Sequence, residues 1–308
     1  MPSNPFHEGE LALQQQAGEA GAGLRNGRIV GDRIPEGALP FIVRQQLAVL
    51  ASIDSGGGLW ASVLLGPAGF AQAPDLATLH LDLRAAAGHP QDPLWQNLET
   101  DPRLGLLFIE LATRRRLRVN GRGAMRPGGI LELQVEEAYP NCPKYIQRRH
   151  SAPGLGAVGT ILPAATHGQA LLASHRTWIT GADTFFVASA HPRGNADASH
   201  RGGKPGFVRW LDEHTLEVPD YAGNSMFNTL GNFAVNPRAG LVFPDFARRR
   251  TLQLSGRATV LWNPQAPPAG STVTNRAWRF EVERWIESQQ PPLYEWELLD
   301  ESPFNPAV

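Results

Sequence analysis

Two kinds of hydrophobic pattern alternate along the chain. The first is a strict period of two. Leu131, Leu133 and Val135 alternate with Glu132, Gln134 and Glu136, and Trp278, Phe280 and Val282 alternate with Arg279, Glu281 and Glu283. A period of two places one set on each face of a strand. The second is the short continuous apolar run, at residues 104–109, 117–119 and 184–189. Turn-forming residues separate these runs, which argues for many short strands. Helical spacing is rarer. Residues 8–19 suggest a helix ended by the Gly-rich stretch 18–31, and residues 42–50 and 227–235 suggest two more. The fold class expected is mostly β with accessory helices.

The pattern repeats. Residues 101–123 (DPRLGLLFIELATRRRLRVNGRG) align without a gap with residues 236–258 (NPRAGLVFPDFARRRTLQLSGRA), 135 residues later, with eleven of 23 positions identical. Shorter matches extend it backwards at an offset of 137: Gly66–Phe70 against Gly203–Phe207, and Ala61–Ser62 against Ala198–Ser199. Two copies of one domain explain these collinear matches. The division expected is an arm over residues 1–39, a first domain over 40–149, a linker over 150–169 and a second domain over 170–308.

Composition narrows the function. The 308 residues carry 28 Lys plus Arg against 29 Asp plus Glu, a net charge of -1, so no general basic footprint for nucleic acid exists. One cysteine, Cys142, excludes an intrachain disulfide. No secretory pattern opens the sequence and no stretch of 18 apolar residues occurs, so the expectation is a soluble cytoplasmic protein without membrane or nucleic-acid partners. No metal motif or Gly-x-Ser-x-Gly elbow is present, and no metal site is expected.

The chemistry-bearing residues concentrate in the second copy. Residues 191–206 (HPRGNADASHRGGKPG) offer Ser199, His200, Arg201, Gly202, Gly203 and Lys204. Glycines let backbone approach a ligand, and Arg and Lys neutralise phosphate; the alternative is a polar hairpin. Residues 220–232 (DYAGNSMFNTLGN) offer Asn224, Ser225, Asn228 and Thr229. Asn224 or Ser225 is placed to cap the following helix, whose N-terminus also suits an anion. The runs Arg114–Arg116 and Arg248–Arg250 match in the two copies. They suit solvated turns, or one arginine of each reaching a phosphate at a sheet edge. His200 is the candidate acid or base, with a structural histidine as the alternative.

Residues 197–203 (DASHRGG), 223–232 (GNSMFNTLGN) and 236–241 (NPRAGL), with Pro143–Tyr145 and Phe6–Glu10, resemble the flavin-binding split-barrel proteins related to pyridoxamine 5'-phosphate oxidase, in particular longer members with two barrels in tandem. The resemblance implies two tandem split β-barrels of the FMN-binding type and a homodimer with FMN at the subunit interface. It implies an FMN-dependent oxidoreductase acting on an unidentified small molecule, or a non-catalytic flavin or anion binder or scaffold. By position it places Ser199, His200, Arg201, Gly202, Gly203 and Lys204 near the flavin, and Asn224, Ser225, Asn228 and Thr229 near its phosphate. Arg249, Arg250 and Gln253 would come from adjacent strands, and Trp278 or Arg279 from across the dimer. The oxidase's phosphate-binding run and C-terminal substrate segment have no counterpart here. In the first copy Ser62, Val63 and Leu64 stand where the second has Ser199, His200 and Arg201, so one functional site per chain is expected, in the second copy.

Overall fold

A computed structural model describes residues 4–156, 159–263 and 273–306. Residues 1–3 of the expected arm, 157–158 of the expected linker, and 264–272 and 307–308 of the second copy lie outside the described residues. The elements run α1 (Glu8–Gln16), α2 (Ala20–Gly27), α3 (Leu39–Val43), β1 (Leu47–Ile53), β2 (Leu59–Leu65), β3 (Ala71–Asp75), β4 (Thr78–Asp82), α4 (Pro93–Thr100), β5 (Arg103–Glu110), β6 (Arg115–Arg126) and β7 (Ile130–Pro140). They continue with β8 (Arg148–Pro153), β9 (Thr166–Gly168), α5 (Ala173–Gly181), β10 (Thr184–Ala190), β11 (Ala196–Gly202), β12 (Arg209–Trp210), β13 (Thr215–Tyr221), α6 (Asn228–Val235), β14 (Arg238–Asp245), β15 (Arg250–Trp262), β16 (Val273–Gln289) and β17 (Tyr294–Asp300).

The N-terminal sheet has the order β2-β1-β5-β6-β7-β4-β3 and the C-terminal sheet the order β11-β10-β14-β15-β16-β13-β12, with β9 added on β16. Taken in sequence within each half, the orders are the same. Matching glycines mark matching features. Gly121 and Gly256 sit at β-bulges in β6 and β15, where a Cβ would lie 1.9 Å from the Gln134 carbonyl oxygen and 2.0 Å from that of Glu281.

The expected split barrels are not formed. Among the described residues both sheets stay open, for β2 pairs only with β1, and β3 only with β4. Closure removes exposed strand edges, and here the edges are managed otherwise. Helices α3 and α5 cover β3 and β12, while β2 packs on β14 and β15 of the opposite sheet and β11 on β5 and β6. These reciprocal crossings exchange the two sheets as a two-fold axis would. Each crossing needs a glycine. A Cβ on Gly105 would lie 2.6 Å from the Cα of Asp197, and one on Gly240 would lie 2.5 Å from the Leu59 carbonyl oxygen.

Three large apolar cores result, with a small fourth cluster of Phe6, Tyr139 and Met226 among the described residues. One lies beneath each sheet, and a third lies between them, built from Val49, Ala61, Val63, Leu107, Phe186, Ala198 and Val242 among others. Strands β1, β2 and β10 are therefore buried on both faces, which is why their sequences are continuous apolar runs. That double burial also corrects the helix expected over residues 42–50. The helix ends at Val43 and the apolar run from Leu47 is β1. The helix expected over residues 8–19 does end at the Gly-rich stretch, stopping at Gln16 just before Gly18 with φ of 70°, but residues 20–27 within that stretch form a second helix, α2. Gly23 and Gly27 there admit the side chains of Gln14 and Phe6, each 2.6 Å from where a Cβ would stand. The segment expected as a linker carries β9 and part of β8, which pairs with β17.

Candidate functional site

One cleft gathers basic side chains from both sheets. Arg116 and Arg118 come from β6, two residues apart and so on one face of the strand. His200, Arg201 and Gly202 come from β11, Asp220 and Tyr221 from β13, Arg276 from β16, and Asn228 and Thr229 from the start of α6. Two irregular segments complete it. Cys142, Lys144 and Tyr145 follow β7, and Asn224, Ser225 and Phe227 precede α6. Tyr145, Ser225 and Phe227 have φ of 66°, 60° and 62°, a left-handed backbone that is strained for non-glycine residues.

The expected cap on α6 by Asn224 or Ser225 is not made. Phe227 occupies the cap position and no side chain accepts from the first amides, while Asn224 Oδ1 accepts from Met226 N at 3.1 Å instead. Four amides at a helix start lack intrahelical partners, and those of α6 open at the cleft with no side-chain cap.

The charges are unevenly paired. Arg118 is buried and lies 3.1 Å from Asp197 Oδ1, and it donates to Asn228 Oδ1 at 3.1 Å. Arg276 is buried, paired with Asp220 at 2.9 Å and Glu19 at 3.1 Å, and stacked over Phe227. Arg116 and Arg201 differ. Among the described residues neither has a carboxylate within 4.0 Å; Arg116 donates to the Cys142 carbonyl at 2.8 Å and Arg201 to that of His200 at 3.1 Å. Burial, with Arg118 and Arg201 nearby, pushes Arg116 down to about 9, which still leaves it charged at neutral pH. Arg201 is likewise lowered by burial and by Arg118. His200 is buried, neither ring nitrogen has a partner, and burial with Arg116, Arg201 and Arg149 around it holds it well below the usual histidine range. It is a neutral imidazole at pH 7, able to donate from one nitrogen and accept at the other.

Of the residues singled out from sequence, His200, Arg201, Gly202, Asn224, Ser225, Asn228 and Thr229 line this cleft. Ser199 lies beneath it, with Oγ 2.9 Å from Thr229 Oγ1. Gly203 and Lys204 lie beyond the end of β11. Arg249 and Arg250 are elsewhere, and Arg250 pairs with Asp245 and Glu287 and stacks over Trp178. Trp278 is fully buried in the core beneath the C-terminal sheet against Phe185 and Phe233. Its neighbour Arg279 points to the other face and meets Glu217 at 3.3 Å. Gln253 reaches the opposite junction, where it donates to Ala61 O at 2.9 Å and to Asp92 Oδ2 at 3.2 Å; Ser62 Oγ donates to Asp92 Oδ1 at 2.6 Å. Burial pushes Asp92 up to about 6.

Sequence reasoning missed Arg118, Arg276 and Asp220, and it placed Arg116 only within a run. The signal was in the repeat alignment. Arg116 and Arg118 stand opposite Thr251 and Gln253, so charge survives at these positions in the first copy alone. This cleft draws walls from both sheets of one chain.

Among the described residues one cluster could hold a metal, His7, Glu8 and His191, and it suits one poorly. Nδ1 of each histidine accepts a backbone N–H, from Gly9 at 3.1 Å and Arg193 at 3.2 Å. A neutral imidazole that accepts at Nδ1 carries its proton on Nε2, which in His7 meets Asn232 Oδ1 at 3.1 Å and in His191 meets Glu8 Oε1 at 3.2 Å. Metal-bound histidines instead donate from the second nitrogen.

Residues 171–291 match the pyridoxamine 5'-phosphate oxidase family model. The match spans strands β10 to β16 of the C-terminal sheet and the cleft residues that they and α6 supply. A search of curated proteins finds no match. Among solved structures, HupZ from Group A Streptococcus is 15% identical, with 37% of this chain and 90% of that one covered and a TM-score of 0.30. The heme storage protein HutZ from Vibrio cholerae is 11% identical, over 38% and 95%, with a TM-score of 0.28. A FAD-binding protein from Mesorhizobium loti is 14% identical, over 41% and 99%, with a TM-score of 0.28.

Proposed function

We propose that this cleft holds FMN by its phosphate and that the protein is an FMN-dependent oxidoreductase acting on a small molecule. The observation that carries the reading is the pair of uncompensated guanidiniums, Arg116 and Arg201, beside the uncapped start of α6. Half-buried guanidiniums with no carboxylate partner leave charge unneutralised away from water, and a helix N-terminus favours an anion through its free amides and its dipole. A phosphate answers both. The family match over residues 171–291 supports a flavin as its bearer.

The enclosed part of the cleft is about 120 Å³, smaller than the roughly 300–1,000 Å³ of a typical small-molecule site. It suits the phosphate end, with the remainder of the nucleotide in the open mouth. There Arg116, Arg201 and the amides of Asn228 and Thr229 hold the phosphate, and Arg118 fixes Asn228. His200, neutral and unpartnered, offers one donor and one acceptor to the bound group. Tyr145 is oriented by its hydroxyl bond to Ala222 O at 2.9 Å and by the Tyr221 ring 5.1 Å away, and so forms a fixed aromatic wall. When bound, the flavin supplies the hydride or electron transfer, and the protein supplies position and charge.

The test is an absorbance spectrum of the purified chain, then FMN titration followed by fluorescence. Stoichiometric binding with turnover of reduced nicotinamide and an acceptor supports the reading. Binding without turnover leaves the non-catalytic carrier, and no binding removes FMN.

A further inference from the structure

On the far side of the Arg118–Asn228 bond lies a second cavity, of about 160 Å³, whose polarity is reversed. Asp197, Asn120, Glu137 and Glu10 line it, with Phe6 and Tyr139 as apolar wall. We propose that it is a binding site for a small organic cation, a protonated aliphatic amine, recognised by Asp197 and Asn120. This site does not rest on the flavin reading.

The argument starts from two unfilled acceptors. Asp197 and Asn120 are 4% and 2% exposed, and Asp197 Oδ2 and Asn120 Oδ1 have no hydrogen-bond partner. The amide orientation is set by its surroundings. Asn120 Nδ2 donates to Glu137 Oε2 at 3.2 Å and to Asp197 Oδ1 at 3.3 Å, and a flipped amide would set its oxygen against both carboxylates. Both donors of the side chain thus serve carboxylates, and its oxygen is left over. An unpaired buried acceptor costs roughly 1–3 kcal/mol, so the site calls for a ligand that brings N–H donors.

It also calls for positive charge. Asp197, Glu137 and Glu10 share one paired guanidinium, Arg118, with His7 and His191 at the rim. Burial raises all three carboxyls, and Glu10, at about 8, is mostly protonated at neutral pH, so the groups that meet a cation are Asp197 and Glu137. A bare metal ion fits less well, because it needs its ligand oxygens close together. Among the described residues no three carboxylate or imidazole groups here converge within 4.8 Å apart from His7, Glu8 and His191. An ammonium spreads three donors over separated acceptors, and its alkyl chain would lie along Phe6 and Tyr139.

The experiment is calorimetric titration of the full chain with n-butylammonium chloride, with n-butanol and magnesium chloride as probes of shape and of charge alone. The expected result is saturable butylammonium binding at least about tenfold tighter than butanol, as loss of a charged hydrogen bond implies. Binding should weaken by at least about tenfold in Asp197→Asn. Because Asp197 also neutralises Arg118, Glu137→Gln is the second variant. It keeps that pair and is expected to weaken binding severalfold. Absence of saturable heat, equal binding of butanol, tighter binding of magnesium, or unchanged affinity in both folded variants would each overturn the proposal. FMN titration of the same preparation separates the two readings. A chain that takes up FMN but not butylammonium sinks this proposal alone.

Discussion

At one crossing of the sheets, Arg118 reaches from β6 to Asn228 at the start of α6. At the other, Gln253 reaches from β15 to Asp92, just before α4. The two positions are 135 residues apart and equivalent in the repeat. Around Arg118 lie Arg116, Arg201 and a helix start with no side-chain cap. Around Gln253, Asp92 itself caps α4, its Oδ1 accepting from Leu94 N at 2.9 Å and from Ser62 Oγ at 2.6 Å while its Oδ2 accepts from Gln253 at 3.2 Å. One junction keeps two guanidiniums without a carboxylate partner and an open mouth. The other resolves a single carboxylate internally. The same backbone plan therefore yields a receptive site or a closed joint according to whether the helix start is capped and the facing strand is charged.

The largest expected effect tests the shared frame. Gly105→Ala drives a Cβ into the Asp197 backbone and should cost about 3 kcal/mol of unfolding free energy, read by chemical denaturation; a neutral result would remove the close crossing. Next, Arg201→Ala should weaken FMN binding by about 1.5–3 kcal/mol, measured by fluorescence titration. Unchanged affinity in the folded variant removes Arg201 from the phosphate site. At the closed junction the signature is pH. The folded-state pKa of Asp92 is raised to about 6 from 3.8, so the native state holds a proton that the unfolded chain has lost. Its contribution is intact below about pH 4 and is lost as the pH rises to 6, at up to roughly 1.4 kcal/mol for each step of one in pH. Asp92→Asn should flatten that decline in denaturation curves recorded from pH 4 to 7, and an unaltered slope would show that Asp92 is not its source. Smallest of all, Ser62→Ala should leave FMN affinity within about 0.5 kcal/mol. A large loss there would mean that the closed junction also binds.

Much of the fold could be read from pattern. The alternation at Leu131–Val135 and Trp278–Val282 lies on β7 and β16, because each has one face on a core. The run from Leu47 could not be assigned by period, since burial on both faces erases it. Open or closed sheets were likewise illegible. What covers an edge strand is decided by the opposite sheet and by α3 and α5, which no local pattern records. Asn228 and Arg201 stood out because polar residues cluster near them in sequence. Arg118 and Arg276 did not, for they enter the cleft from strands where a lone arginine resembles any exposed position. Trp278 had looked available to a ligand until its face was known.

The glycines at the crossings have a practical consequence. In a symmetric assembly of two identical chains, every substitution is made twice and both interfaces change together. Here Gly105 and Gly240 are separately encoded, so either contact can be altered while its counterpart serves as an internal control within the same molecule. The independence applies equally to a population of variants. A change that ruins one junction leaves the other to hold the halves in register, which permits the two to drift toward different tasks.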